Sequence, residues 1–209
     1  MYDGAPVDYV DEVKFLGVIV DRKLKFNLHL NAVCSKVAKS VGIFHKLRSC
    51  LPERVLLNLY YSLVYPYIIY CILIWGGTSQ VHLRPLLLLQ KKIVRIITGS
   101  EFLAHTDPLF FRTSILKLDD VYDYTLAQFM YKKVHDGDAS VVPPRVHDYS
   151  TRNRSSIRTA FHRLTSTQQS VDFAGPRLWN NLPADVKESN SFAIFKRNMR
   201  ADLLNKYNL

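Results

Sequence analysis

Apolar positions change their spacing several times along this chain, and each change marks an element. Residues 13–20, VKFLGVIV, form a short β-branched and aromatic run closed by Asp21-Arg22-Lys23, with alternation resuming at Leu24-Lys25-Phe26. That pattern predicts a β-hairpin. From residue 28 to 48 the spacing becomes helical, with Val33, Val37, Val41 and Phe44 recurring every three or four residues behind Asn27 as a candidate N-cap. At about 100° per residue, Lys36, Lys39 and Lys46 gather on the opposite side, so this helix has an apolar face and a basic one.

Ser49 is a candidate cap for the next helix, and Pro52 suits its first turn. Residues 56–75 then run without a charge. That length meets the criterion for a membrane span, and a single span there is one reading of the chain. Against it stand Asn58, Ser62, a central Pro66 and the tyrosines Tyr60, Tyr61, Tyr65, Tyr67 and Tyr70, since tyrosine favours interfaces over hydrocarbon and Pro66 breaks the ladder. The preferred expectation is a core helix interrupted near Pro66 and ended by Gly76-Gly77.

Residues 81–98 predict a further amphipathic helix stopped by Gly99, with Leu86, Leu89, Ile93, Ile96 and Ile97 on one side and Arg84, Lys91 and Arg95 on the other. A helix over residues 119–135 follows, its Asp119, Asp120 and Asp123 matched to the positive N-terminal end. Residues 137–154, with Pro143-Pro144, read as a linker. Beyond it, residues 159–165 and 169–173 suggest a short hairpin. Gly175-Pro176 then opens a helix, and residues 191–207 form a last one with Phe192, Phe195, Met199 and Leu203 on one face.

Charge narrows the partners. Of 209 residues, 28 are Lys or Arg and 18 Asp or Glu, for a net charge of +10. The excess is local, because residues 1–21 hold five acids and one base whereas residues 22–100 hold twelve bases and one acid, Glu53. A merely solvated surface mixes both signs, so this segment favours polyanions, nucleic acid before membrane. Cys34, Cys50 and Cys71 are irregularly spaced with no histidine at a finger interval, which predicts neither zinc nor a disulfide framework. The start lacks a basic-then-apolar leader, so an intracellular protein of nucleus or cytoplasm is expected.

Catalytic patterns are missing from the sequence. There is no glycine-rich phosphate loop, nucleophile elbow or metal-ligand cluster, and the seven histidines are scattered. Asp119-Asp120 is the closest acid pair. A two-metal site needs carboxylates converging from separate strands, whereas an acid pair at a helix start caps it and complements its dipole.

Several phrases carry a family likeness. FLGVIVDRKLKFNLHL at residues 15–30, LRSCLPERVLLNLYYSLVYPYIIYCILIWGG at 47–77 and LLLQKKIVRIITG at 87–99 resemble the region after the active site in jockey-like non-LTR (LINE-type) retrotransposon reverse transcriptases. YSTRNRS at 149–155 and GPRLWNNLPADVKESNSFAIFKRNMRADLL at 175–204 resemble the C-terminal tail of the same frames, in the same order. The resemblance implies that Phe15, Leu16 and Gly17 lie on a primer-grip hairpin within residues 1–26. Residues 27–136 would then be thumb-like helices, 137–158 a linker and 159–209 a small C-terminal module. It also implies an RNA or DNA template-primer duplex as partner, held by Lys36, Lys39, Lys46, Arg84, Lys91 and Arg95, and the upstream polymerase as a second partner. The family's paired aspartates, its Mg²⁺ and its endonuclease belong to regions upstream of the segment resembled. No cofactor and no polymerisation are therefore expected of this chain.

The expected architecture is mainly α: an N-terminal β-hairpin, a helical bundle, then a small α+β C-terminal module. The functional expectation is non-specific duplex binding through basic helix faces, with a helical protein-interaction module as the other soluble reading.

Overall fold

The computed structural model describes residues 10–137, residue 157 and residues 163–208. Two strands, β1 (Glu12–Phe15) and β2 (Val18–Asp21), pair antiparallel with Phe15 opposite Val18 and Glu12 opposite Asp21. Leu16 and Gly17 are left as a two-residue turn, both at positive φ (46° and 87°). This is the turn whose twist matches the strands it joins. Glycine takes that conformation freely, whereas a leucine there is strained.

The hairpin hands over to α1 (Asn27–Leu47) through a loop organised by one carboxylate. Asp21 accepts hydrogen bonds from the backbone amides of Lys23 (3.0 Å), Lys25 (3.1 Å) and Phe26 (2.6 Å). Burial alone would raise its pKa; the three amides outweigh that and hold it below the usual carboxylate value. Phe26, at φ 57°, occupies the N-cap without a side-chain capping bond. The expected Asn27 cap is thus displaced by one residue, because Asp21 already engages the Phe26 amide.

Helix α1 buries Val33, Val37, Val41 and Phe44, the predicted stripe, and Leu30 with them. The charge-free run that follows is no single span. It divides into α2 (Glu53–Leu63), α3 (Tyr65–Ile69) with Pro66 in its first turn, and α4 (Ile72–Trp75), entered through Cys71 at φ 52°. Pro52 stands at the α2 N-cap, ahead of the first turn and in the place expected for Ser49. Leu56, Tyr60, Val64, Ile68, Ile72 and Trp75 all point into the core. Among the described residues no helix is long and apolar enough to cross a membrane. That overturns the single-span reading: each break turns the chain so that a fresh apolar side chain faces the bundle.

Helix α5 (Gln80–Ile97) lies alongside α1 in the same direction. Asn27, Leu30 and Asn31 line one surface hollow with Val81, His82 and Pro85, and Arg48, Ser49 and Leu51 line another with Ile96, Ile97 and Gly99. One polar side chain sits at the centre of the packing. Gln90, fully buried on the apolar face of α5, donates to the Tyr60 hydroxyl and the Leu116 carbonyl (both 2.8 Å) and accepts from the Leu118 amide (2.9 Å).

Helix α6 (Asp107–Thr113) leads into α7 (Leu118–His135), which carries buried residues on several sides because α3, α4, α5 and the C-terminal helices all pack around it. The C-terminal segment contributes α8 (Thr165–Gln168), α9 (Val171–Asn181), α10 (Ala184–Lys187) and α11 (Phe192–Asn205). Its expected β content fails where it is described, since residues 165–168 and 171–173 are helical; residues 159–162 lie outside the described residues, as does nearly all of the expected linker. Gly175-Pro176 sits inside α9 rather than opening it. The reason is a helix-on-helix contact: a Cβ on Gly175 would come within 2.5 Å of the Met130 sulfur, so α9 is pressed against α7. Tyr131, Trp179, Phe192 and Phe195 stack where α7, α9 and α11 meet, in one core continuous with α1–α5.

Candidate nucleic-acid interface

The basic residues of α1 and α5 do not converge on one surface. The seam between the two helices runs along Asn27, Leu30 and Asn31, and Lys36, Lys39 and Lys46 lie roughly 110–170° around α1 from it. All three lysines are exposed. Their face borders α2 and α3: the Ser40 hydroxyl donates to the Leu63 carbonyl, and the Lys36 ammonium lies 5.3 Å from the centre of the Tyr67 ring. Tyr67, 39% exposed, thereby joins the basic stripe, a neighbour that no spacing within α1 could reveal. Among the described residues, no ion pair ties Lys36, Lys39 or Lys46 to an acid. Glu53, the one acid between residues 22 and 100, is turned away into an ion pair with Arg112 (2.9 Å).

The stripe on α5 has a different fate. Arg84 is exposed, whereas Lys91 and Arg95 are half-buried. The Arg95 Nε–H donates to the Ala104 carbonyl (2.9 Å), which makes it a tie for the loop after α5. Lys91 contributes to the field around Asp107. Burial would raise the Asp107 pKa, but its ion pair with Lys117 (2.8 Å), with His105 and Lys91 nearby, holds it below the usual value. Lys92, absent from the sequence-based set, is the exposed base that lines up with Val81, Arg84 and Leu88; its signal was the eight-residue step from Arg84.

The hairpin tip is exposed yet anchored. Phe15 and Leu16 are 66% and 74% exposed. The Tyr70 hydroxyl donates to the Leu16 carbonyl, and a Cβ on Gly17 would meet the Tyr70 ring at 3.6 Å. At the base, buried His29 of α1 accepts the Ile19 amide on Nδ1 (3.4 Å) while its ring lies 5.8 Å from Trp75. Burial, with Lys36 adding to it, lowers the His29 pKa and so favours the neutral ring, the form whose Nδ1 can accept. The tip therefore stands at a fixed place relative to α1 and α3.

Asp119 and Asp120 are engaged structurally. Asp119 accepts from the Gln80 amide (3.2 Å). Asp120 accepts from the Tyr207 hydroxyl, which itself accepts the Lys117 amide (3.0 Å), so the end of the C-terminal segment is tied to the start of α7. Among the described residues no group of three or more His, Cys, Asp or Glu could hold a metal ion.

Comparison with known proteins agrees with the collinear phrases. The chain is 27% identical over 164 residues to the probable RNA-directed DNA polymerase from transposon X-element of Drosophila melanogaster, covering 77% of this chain and 16% of that protein. It is 26% identical over 121 residues to the RNA-directed DNA polymerase from mobile element jockey of Drosophila funebris, covering 56% of this chain and 13% of the relative. The Drosophila melanogaster jockey polymerase is 26% identical over 132 residues, with 61% and 14% covered. The chain thus spans only a small part of the length of these relatives. No family model matches the sequence, and no solved structure matches it.

Proposed function

We propose, from the likeness to these mobile-element polymerases, that this chain is a segment of a non-LTR retrotransposon RNA-directed DNA polymerase lying after the catalytic centre. Its role is to hold an RNA or DNA template-primer duplex by the phosphate backbone, without polymerase chemistry of its own. The observation that carries this reading is the acid-free face of α1, where Lys36, Lys39 and Lys46 stand exposed beside Tyr67. Lysines without a carboxylate neighbour are free to replace the counterions of a phosphate chain, and such contacts give affinity without sequence preference. The anchored tip at Phe15, Leu16 and Gly17 is assigned to the strand end, and Arg84 with Lys92 to a flanking contact. Lys91 and Arg95 serve chiefly the fold.

The test is duplex binding by fluorescence anisotropy across a salt series. Reversing Lys36, Lys39 and Lys46 to glutamate should weaken binding and reduce the salt slope by about one per lost phosphate contact. The pair Arg84→Glu and Lys92→Glu should cost less. Unchanged affinity and slope in the triple variant, with its helical circular dichroism intact, would remove the α1 face from the proposal.

A further inference from the structure

Among the described residues, nothing pairs with the second edge of β1. Both strands of the sheet are accounted for by one pairing, and every residue of β1 is exposed. The Arg22 amide donates to the Asp11 carbonyl (2.9 Å), continuing the register of Phe15 with Val18 and Val13 with Val20. Hydrogen-bonded and non-hydrogen-bonded pairs alternate along an antiparallel ladder. Asp11, Val13 and Phe15 therefore bond towards β2, and the backbone groups of Glu12 and Lys14 point out of the open edge. Val13 and Phe15 share the sheet face of Val18 and Val20, which meets the core, yet they are 50% and 66% exposed. An unpaired edge beneath an uncovered apolar face is a template for another strand.

The residues on that edge are complementary to themselves. An antiparallel strand from a second copy must match its own outward-pointing residues 12 and 14 to these, which allows three registers. One centred on Glu12 sets glutamate against glutamate, and one centred on Lys14 sets lysine against lysine. Only the register centred on Val13 places Glu12 opposite Lys14 of the other copy, twice over by symmetry, with valine against valine between them. Opposite charges across a ladder favour pairing and like charges oppose it. The tip does not need to be ordered for this, since Tyr70 already holds Leu16.

We propose that this chain self-associates through β1 into a two-fold dimer, joining two hairpins into a four-stranded sheet centred on Val13. Each copy spends the outer edge of β1, so assembly through it closes at two. Strands this short bury less than the about 800 Å² per partner of a standard stable complex, so the dimer is expected to be weak and reversible in the micromolar range.

Sedimentation velocity of the nuclease-treated full chain over a micromolar concentration series tests this. The expected result is a monomer–dimer equilibrium. Glu12→Lys or Lys14→Glu alone turns both cross-strand pairs into like charges and should weaken the dimer about tenfold or more. The double reversal, Glu12→Lys with Lys14→Glu, restores both pairs and should recover it. Both positions are exposed, so the variants should keep the native circular dichroism. A chain that stays monomeric throughout, a series that grows beyond two copies, or a double reversal no tighter than the single ones would each overturn the proposal.

Discussion

Replacing Gln90 by leucine should damage this fold more than its position on an apolar helix face suggests. Leucine is close in size, so little volume is lost. Three polar groups lose a partner: the Tyr60 hydroxyl, the Leu116 carbonyl and the Leu118 amide, each now within 2.9 Å of Gln90. Tyr60 and Gln90 are fully buried, and Leu116 and Leu118 nearly so, so water cannot replace the amide without opening the core. An orphaned buried group costs roughly 1–3 kcal/mol. The leucine gains back apolar transfer energy of about 2 kcal/mol. With three such groups the expected net loss is about 1–7 kcal/mol, a large share of the about 5–15 kcal/mol that holds an ordinary domain together. Urea unfolding followed by circular dichroism reads this directly. Tyr60→Phe in the Gln90→Leu background supplies the internal check: it removes the orphaned hydroxyl and should recover part of the loss. A Gln90→Leu chain within 0.5 kcal/mol of the parent, taking ~0.5 kcal/mol as the scale of ordinary surface substitutions, would show that the three bonds do not hold α2, α5 and the start of α7 together.

Two further outcomes follow from close packing and burial. A Cβ on Gly77 would stand 2.6 Å from the Gln169 carbonyl oxygen and 2.9 Å from the Tyr122 hydroxyl, so Gly77→Ala should lower the thermal midpoint, at a cost of about 1–3 kcal/mol as for other overpacked sites; an unchanged midpoint would mean the C-terminal segment does not press on this turn. Asp123 has its pKa raised to about 6, by burial first and then by Asp120, with Lys206 opposing and Asp119 adding. The folded state holds that proton more tightly than the unfolded one, so Asp123 favours folding below the ordinary aspartate value of 3.8 and that favour is lost as pH rises through about 6. Asp123→Asn should therefore match the parent near the acid end and exceed it by about 1–2 kcal/mol at neutral pH, since one pKa unit is worth about 1.4 kcal/mol before allowing for residual solvent; parallel stability–pH curves would refute the assignment.

What the sequence determined were the elements whose evidence lies within one turn or one strand. The stripes Val33–Val37–Val41–Phe44 and Leu86–Ile93–Ile97 set the buried sides of α1 and α5, as found. The apolar run at residues 13–20 set a hairpin but not its turn, which was expected at Asp21-Arg22-Lys23 and lies inside the run at Leu16-Gly17, so that residues 24–26 form no strand; the scarcity of acids after Asp21 set the sign of the surface. Periodicity reports which side of an element faces its own core. It carries no information about which neighbour covers the remaining sides, and that was the part tertiary structure decided. Arg95 is drawn to the Ala104 carbonyl while Lys36 meets Tyr67, though both read alike as basic positions opposite an apolar stripe. Residues 169–173 read as a strand, yet from Val171 the chain is helical, because α7 offers a groove in which Gly175 and Trp179 can pack one turn apart. Residues 56–75 read as one apolar run and became three helices, because Pro66 and the left-handed Cys71 let the chain turn and keep burying side chains. Gln90 is the plainest case: an uncharged polar residue within an apolar stripe gives no local sign of its partners, and only the meeting of α2, α5 and the α6–α7 junction makes it the centre of the core.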